Sequence, residues 1–169
     1  MQIDTGMTST INVKTIQAET FSDYKKASML ICVCNCDWKC CKEAKQDICQ
    51  NTEIAKQENL TVSIDDAIKS YINNPITEAI IFGGLEPMLQ FKEVYSFIYK
   101  LRNQYNCNDD VIVYTGYYEN EIQEYIQQLK QFKNIIVKFG RFISNDKSKY
   151  DNVLGVTLAS HNQYAKQIS

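Results

Sequence analysis

Six of the seven cysteines fall within eighteen residues: Cys32, Cys34, Cys36, Cys40, Cys41 and Cys49. Thiolates crowded this closely favour a shared metal or iron–sulfur cluster, because soft sulfur donors bind zinc and iron at short range. The odd number of cysteines sits poorly with a closed set of disulfides, and in a reducing compartment clustered cysteines argue for metal or redox work. Three cysteine ligands on a four-iron cubane leave one iron free to hold a small molecule, whereas four close the cluster for electron transfer. Zinc bound by three or four of the same thiolates is the competing reading. His161 is the single histidine and lies far off in sequence, which disfavours a mixed cysteine–histidine zinc site. Cys32 and Cys34 share one face of a strand at period two and read as core thiols.

A second stretch with chemical character is Phe82-Gly83-Gly84-Leu85-Glu86-Pro87. Its plainest reading is a strand-to-helix turn, in which the glycines relieve steric limits and Pro87 opens a helix. A glutamate directly after a glycine turn at a strand end could also hold an ammonium group, with help from backbone carbonyls. Thr115-Gly116 closes a third apolar run in the same way.

The elements that must position these residues alternate. Strands are expected at Ser28–Val33, Glu78–Phe82, Val111–Tyr114 and Asn134–Phe139. Helices are expected from Ser63 to Ile72, Leu89 to Gln104 and Glu119 to Phe132. In the first helix Ser63 caps and two aspartates occupy the first turn, where the helix dipole favours them. Met1–Ser9 looks frayed, Ile11–Ile16 alternates weakly as a short edge strand, and the tail from Arg141 is turn-rich around one apolar piece, Val153–Leu158. Continuous apolar strands separated by helices imply an α/β fold with parallel strands covered by helices. Four such strands are too few for a closed eight-stranded barrel, so an open, partial βα barrel is expected. Ligands of such sheets bind at the carboxyl ends of the strands, and the cysteine loop, Gly83-Gly84 and Thr115-Gly116 all fall there.

The 169 residues suit one domain, 1–169. The formal net charge of −2 gives no general pull toward nucleic acid. No apolar run is long enough to span a bilayer, and Met1 to Glu19 lacks the basic start and apolar block of a secretory signal, so a cytoplasmic location is expected.

The cysteine loop and the glycine turn together resemble the radical S-adenosylmethionine superfamily. That family binds a 4Fe–4S cluster through a C-x3-C-x2-C loop after its first strand, and holds the methionine amino group with a Gly-Gly-Glu-Pro turn after its second. Cys36 and Cys40 match the first two cysteines, while Glu43 stands where the third would fall. Cys49 is the best substitute, with Ile48 before it and Gln50-Asn51 after it; Cys41 is its competitor. Gly83, Gly84, Glu86 and Pro87 match the turn, with Leu85 inserted. Tyr114-Thr115-Gly116-Tyr117, Gly140-Arg141-Phe142 (with Phe139 in place of an aspartate) and Ser160-His161-Asn162-Gln163 resemble stretches of glycyl-radical enzyme activases, in particular those serving anaerobic ribonucleotide reductases.

The resemblance implies a 4Fe–4S cluster on Cys36, Cys40 and Cys49, and S-adenosylmethionine held near Gly83, Gly84, Glu86, Pro87 and Thr115. It implies reductive cleavage of that cofactor, with an external one-electron donor such as flavodoxin or ferredoxin. A glycyl radical is then generated on a partner enzyme, anaerobic ribonucleotide reductase. The central step needs no general acid or base, so no catalytic side chain is named. The rivals are a radical enzyme acting on another substrate and a non-catalytic interaction protein that binds zinc or an iron–sulfur cluster.

Overall fold

In the computed structural model, which describes residues 6–169, the chain runs through β1 (Thr10–Thr20), β2 (Ser28–Val33), α1 (Lys39–Ala44), α2 (Thr52–Ala55), β3 (Leu60–Ser63), α3 (Ile64–Asn73) and β4 (Ala79–Gly83). It continues through a 3-10 turn at Pro87–Gln90, α4 (Phe91–Asn103), β5 (Asp110–Tyr114), a second 3-10 turn at Glu119–Glu121, α5 (Gln123–Leu129) and β6 (Ile135–Phe139). The strands β7 (Lys149–Asp151), β8 (Val156–Leu158) and β9 (Tyr164–Gln167) complete it. The first five residues of the stretch expected to fray lie outside the described residues.

The fold is α/β. Seven strands form one mixed sheet in the order β3-β1-β2-β4-β5-β6-β9. The four expected strands, β2, β4, β5 and β6, are its parallel centre. Three flanking pairings are antiparallel: β1 with β2, β1 with β3, and β6 with β9. Register explains why the central runs are apolar throughout. Leu30, Ile81, Ile112 and Ile136 lie side by side across the sheet, and so do Ile31, Phe82, Val113 and Val137 one residue on. The second row packs with Ile68, Phe97, Leu101 and Ile126 of α3, α4 and α5. The first row packs instead with Tyr24, Leu154 and Leu158, so the β7–β8 hairpin covers that face. Both faces are buried, and period-two alternation is lost.

Three local expectations change. β1 is not a short edge strand: it is 11 residues long and lies inside the sheet, because β3 pairs along its outer side. β3 is half-exposed and runs straight into α3, which hides it as the lead-in to a helix. The cysteine loop is not bare, since it carries two short helices, α1 and α2. Other local signals hold: the Ser63 side chain accepts from the Asp66 amide at 3.2 Å, and Pro87 opens the 3-10 turn. Among the described residues no helix is long and apolar enough to cross a membrane.

Candidate functional site

The carboxyl ends of β2, β4, β5 and β6 share one edge of the sheet, and parallel pairing brings the segments after them together. Two contacts join the cysteine loop to the glycine turn. The buried Gln90 side chain accepts from the amides of Cys34 at 2.6 Å and Asn35 at 3.3 Å, while its own amide donates to the Asn12 carbonyl at 2.9 Å. The Glu86 amide donates to the Asn35 carbonyl at 2.7 Å. Between these segments lies a cavity of about 280 Å³, lined by Cys36, Cys40, Cys49, Gly84, Glu86 and Thr115. Its further walls include Lys138 from β6 and Val156, Thr157 and Leu158 from β8.

Backbone N–H groups point at two of these sulfurs: Trp38 donates to Cys36 Sγ at 3.3 Å and Asn51 donates to Cys49 Sγ at 3.3 Å. Such N–H···S contacts stabilise cluster thiolates and tune their potential. Cys41 behaves differently: it does not line the cavity, and its thiol donates to Asp47 Oδ1 at 3.7 Å. Glu43, at the spacing of the usual third ligand, does not line the cavity either, and its carboxylate stands 2.7 Å from Arg141 Nε as an ion pair. Cys32 and Cys34 are buried, as core thiols should be.

Burial pushes the Cys36 thiol up to about 11 against the pull of the Trp38 amide, and raises Cys40 as well. A metal that takes these groups as thiolates therefore displaces their protons. Among the described residues no three His, Cys, Asp or Glu side chains converge closely enough to hold one ion. Cys36, Cys40 and Cys49 instead ring the cavity. Three cysteine sulfurs lining one cavity are a donor set of the type that holds an iron–sulfur cluster.

Glu86 is buried, with only 5% of its surface exposed. Its carboxylate accepts from the Thr115 hydroxyl at 2.7 Å, the Gly116 amide at 2.8 Å and the Met88 amide at 3.0 Å. Burial raises its pKa, and those donors oppose the rise. Thr115 thus acts by fixing Glu86. Gly84 has φ +79, and a Cβ there would stand 2.8 Å from Cys32 Cβ, so the turn admits no side chain. Gly83 and Pro87 do not line the cavity: Gly83 ends β4 paired with Cys32, and Pro87 is buried at the head of the 3-10 turn.

Sequence reasoning missed Lys138. It interrupts an apolar run, Ile135-Ile136-Val137-Lys138-Phe139, and that interruption was the available signal. Its ammonium donates to the Gly140 carbonyl at 3.1 Å, and burial lowers it to about 8 despite the nearby Glu86 and Cys40. It brings a buried positive charge to the cavity wall. His161 is exposed, pairs with Asp146 and does not line the cavity.

The family model described as a 4Fe-4S single cluster domain matches residues 26–164. That span runs from just before β2 to the start of β9 and includes Cys36, Cys40, Cys49, Gly84, Glu86, Thr115 and Lys138. No curated protein matches the chain.

Proposed function

The chain belongs to the 4Fe-4S single cluster domain family, and from that premise we propose that it is a radical S-adenosylmethionine enzyme of the glycyl-radical activating type. The observation that carries the reading is the convergence of Cys36, Cys40 and Cys49 on one cavity with Gly84, Glu86 and Thr115. Three thiolates, of which Cys36 and Cys49 each accept from a backbone N–H, would hold a cubane and leave one iron without a protein ligand. An open βα barrel belongs with this reading, and the parallel centre of the sheet is compatible with it.

A 4Fe–4S cluster held by Cys36, Cys40 and Cys49 would supply the one-electron chemistry for reductive cleavage of S-adenosylmethionine. The chain's own residues bind and orient. The side-chain-free turn at Gly84 offers backbone to an amino group, and Glu86 keeps that turn against Thr115 and Gly116. Lys138 is the buried cation placed to meet a carboxylate. β8 adds Val156, Thr157 and Leu158 to the cavity wall. The hydrogen donor in this reading is a glycine of a separate protein, an anaerobic ribonucleotide reductase, with flavodoxin or ferredoxin as the source of electrons.

The test is anaerobic incubation with reductant, S-adenosylmethionine and the reductase. 5′-Deoxyadenosine is read by chromatography and the glycyl radical by electron paramagnetic resonance. Both products are expected. Nucleoside without a glycyl radical would assign a different substrate, and neither product from a protein with a full, reducible cluster would overturn the enzymatic reading.

A further inference from the structure

Helix α1 carries Cys40, yet little in its own sequence keeps it in place. It has six residues, none of them buried, and no side-chain cap at its start. Its flanking residues Trp38 and Lys45 are both left-handed, with φ 59 and φ 54, a conformation that side chains disfavour. Helices this short do not stand alone. The support comes from the segment after β6. Arg141, whose side chain is 9% exposed, places Nε 2.7 Å from the Glu43 carboxylate of α1. Its other two nitrogens donate to Glu121 at 2.7 and 2.9 Å, and its guanidinium lies 4.5 Å over the Tyr118 ring. Glu121 and Tyr118 thus fix the arginine, so Glu43 meets a rigid partner and not a free side chain. At the start of α1, Lys39 sits 4.5 Å over the Tyr117 ring, and the Tyr117 hydroxyl donates to Asp37.

We infer that Arg141 is a positioning residue: through Glu43 it stations α1 so that Cys40 presents its sulfur to the cavity. At position 43 an ion pair replaces the metal bond that the C-x3-C-x2-C spacing would supply, and Cys49 takes over as the third sulfur. The inference rests on the reading of Cys40 as a cluster ligand.

The test uses Glu43→Gln, Arg141→Gln and the double variant in the full chain, reconstituted anaerobically. Two quantities are read: the rate at which a ferrous chelator strips iron, and hydrogen exchange of the α1 amides. Glu43 is 56% exposed, so Glu43→Gln should leave the thermal unfolding midpoint unchanged. Both rates should rise about two- to five-fold, the size of a partly exposed ion pair. Adding Glu43→Gln to Arg141→Gln should raise neither rate further, because the partner is already gone. Unchanged iron loss and unchanged exchange in both single variants would overturn the inference, as would full additivity in the double variant. Faster α1 exchange in a protein whose unaltered form takes up no cluster would uphold the tether and overturn the cluster reading instead.

Discussion

Replacing Gly84 by alanine should damage the fold itself, before any cofactor is involved. The residue holds φ +79, and a Cβ built there meets Cys32 Cβ at 2.8 Å, Cα at 3.0 Å and Sγ at 3.2 Å. Cys32 cannot retreat, because β2 and β4 are paired at Cys32 and Gly83. The left-handed backbone costs a non-glycine residue about 1–2 kcal/mol, and forcing a methyl into packed space adds about 1–3 kcal/mol. A total of about 2–5 kcal/mol corresponds to a fall of roughly 5–15 °C in the unfolding midpoint of a chain of this size. The control is Gly116→Ala, whose added methyl would meet Glu86 Oε2 at 3.5 Å, Arg141 Cγ at 3.8 Å and Cys40 Sγ at 3.9 Å, all ordinary contacts. Circular dichroism on heating, under reducing and anaerobic conditions, should show a large drop for Gly84→Ala and a shift of a few degrees at most for Gly116→Ala. Equal midpoints for Gly84→Ala and the unaltered chain would refute the close approach and the steric argument built on it.

Cys49→Ala should lose most of its bound iron and sulfide while Cys41→Ala keeps a normal cluster; the reverse pattern would exclude Cys49 as the third ligand. Glu121 is held down at about 2, from 4.5, chiefly by its hydrogen bonds to Arg141. Its contribution is therefore complete above pH 4.5 and is lost as the pH falls toward 2. The shift sets a ceiling of about 3 kcal/mol, which solvent around the partly exposed carboxylate reduces to about 1–2 kcal/mol. In Glu121→Gln the fall in urea-unfolding free energy across that window should be shallower, and an unchanged slope would count against the pairing. Buried Arg102 donates to the carbonyls of Cys107 and Asp109, each at 2.8 Å, and twice to that of Lys133, at 3.1 and 2.8 Å. Arg102→Met should cost about 3–5 kcal/mol by leaving those carbonyls unpaired, as read by denaturant unfolding; a loss below about 1 kcal/mol would mean that water replaces the bonds.

The parallel centre was legible because β2, β4, β5 and β6 bury both faces and so read as unbroken apolar runs. The Ser63 cap and the Pro87 start were legible because each depends on residues within three positions. What stayed hidden depends on partners distant in sequence. Leu60–Ser63 carries no buried residue, so its pairing with β1 could not be foreseen, and neither could the inner place of β1. β9 buries only Ala165 among polar neighbours and became visible only beside β6. At the site, the loop match picked out Cys36 and Cys40 and the local context favoured Cys49 over Cys41; the cavity is lined by those three and not by Cys41. The burial of Lys138 and Arg141 was not foreseen. Their burial follows from what β6 and its following turn meet: the Gly140 carbonyl for Lys138, and Glu43 and Glu121 for Arg141.

The most direct measurement is the electron paramagnetic resonance spectrum of the reconstituted, reduced protein, recorded with and without S-adenosylmethionine. Three cysteine ligands leave one iron open to a small molecule. A single reduced 4Fe–4S signal is expected, its g-values should move when S-adenosylmethionine is added, and Cys36→Ala, Cys40→Ala or Cys49→Ala should each abolish it. A full cluster whose spectrum is indifferent to S-adenosylmethionine would contradict the account.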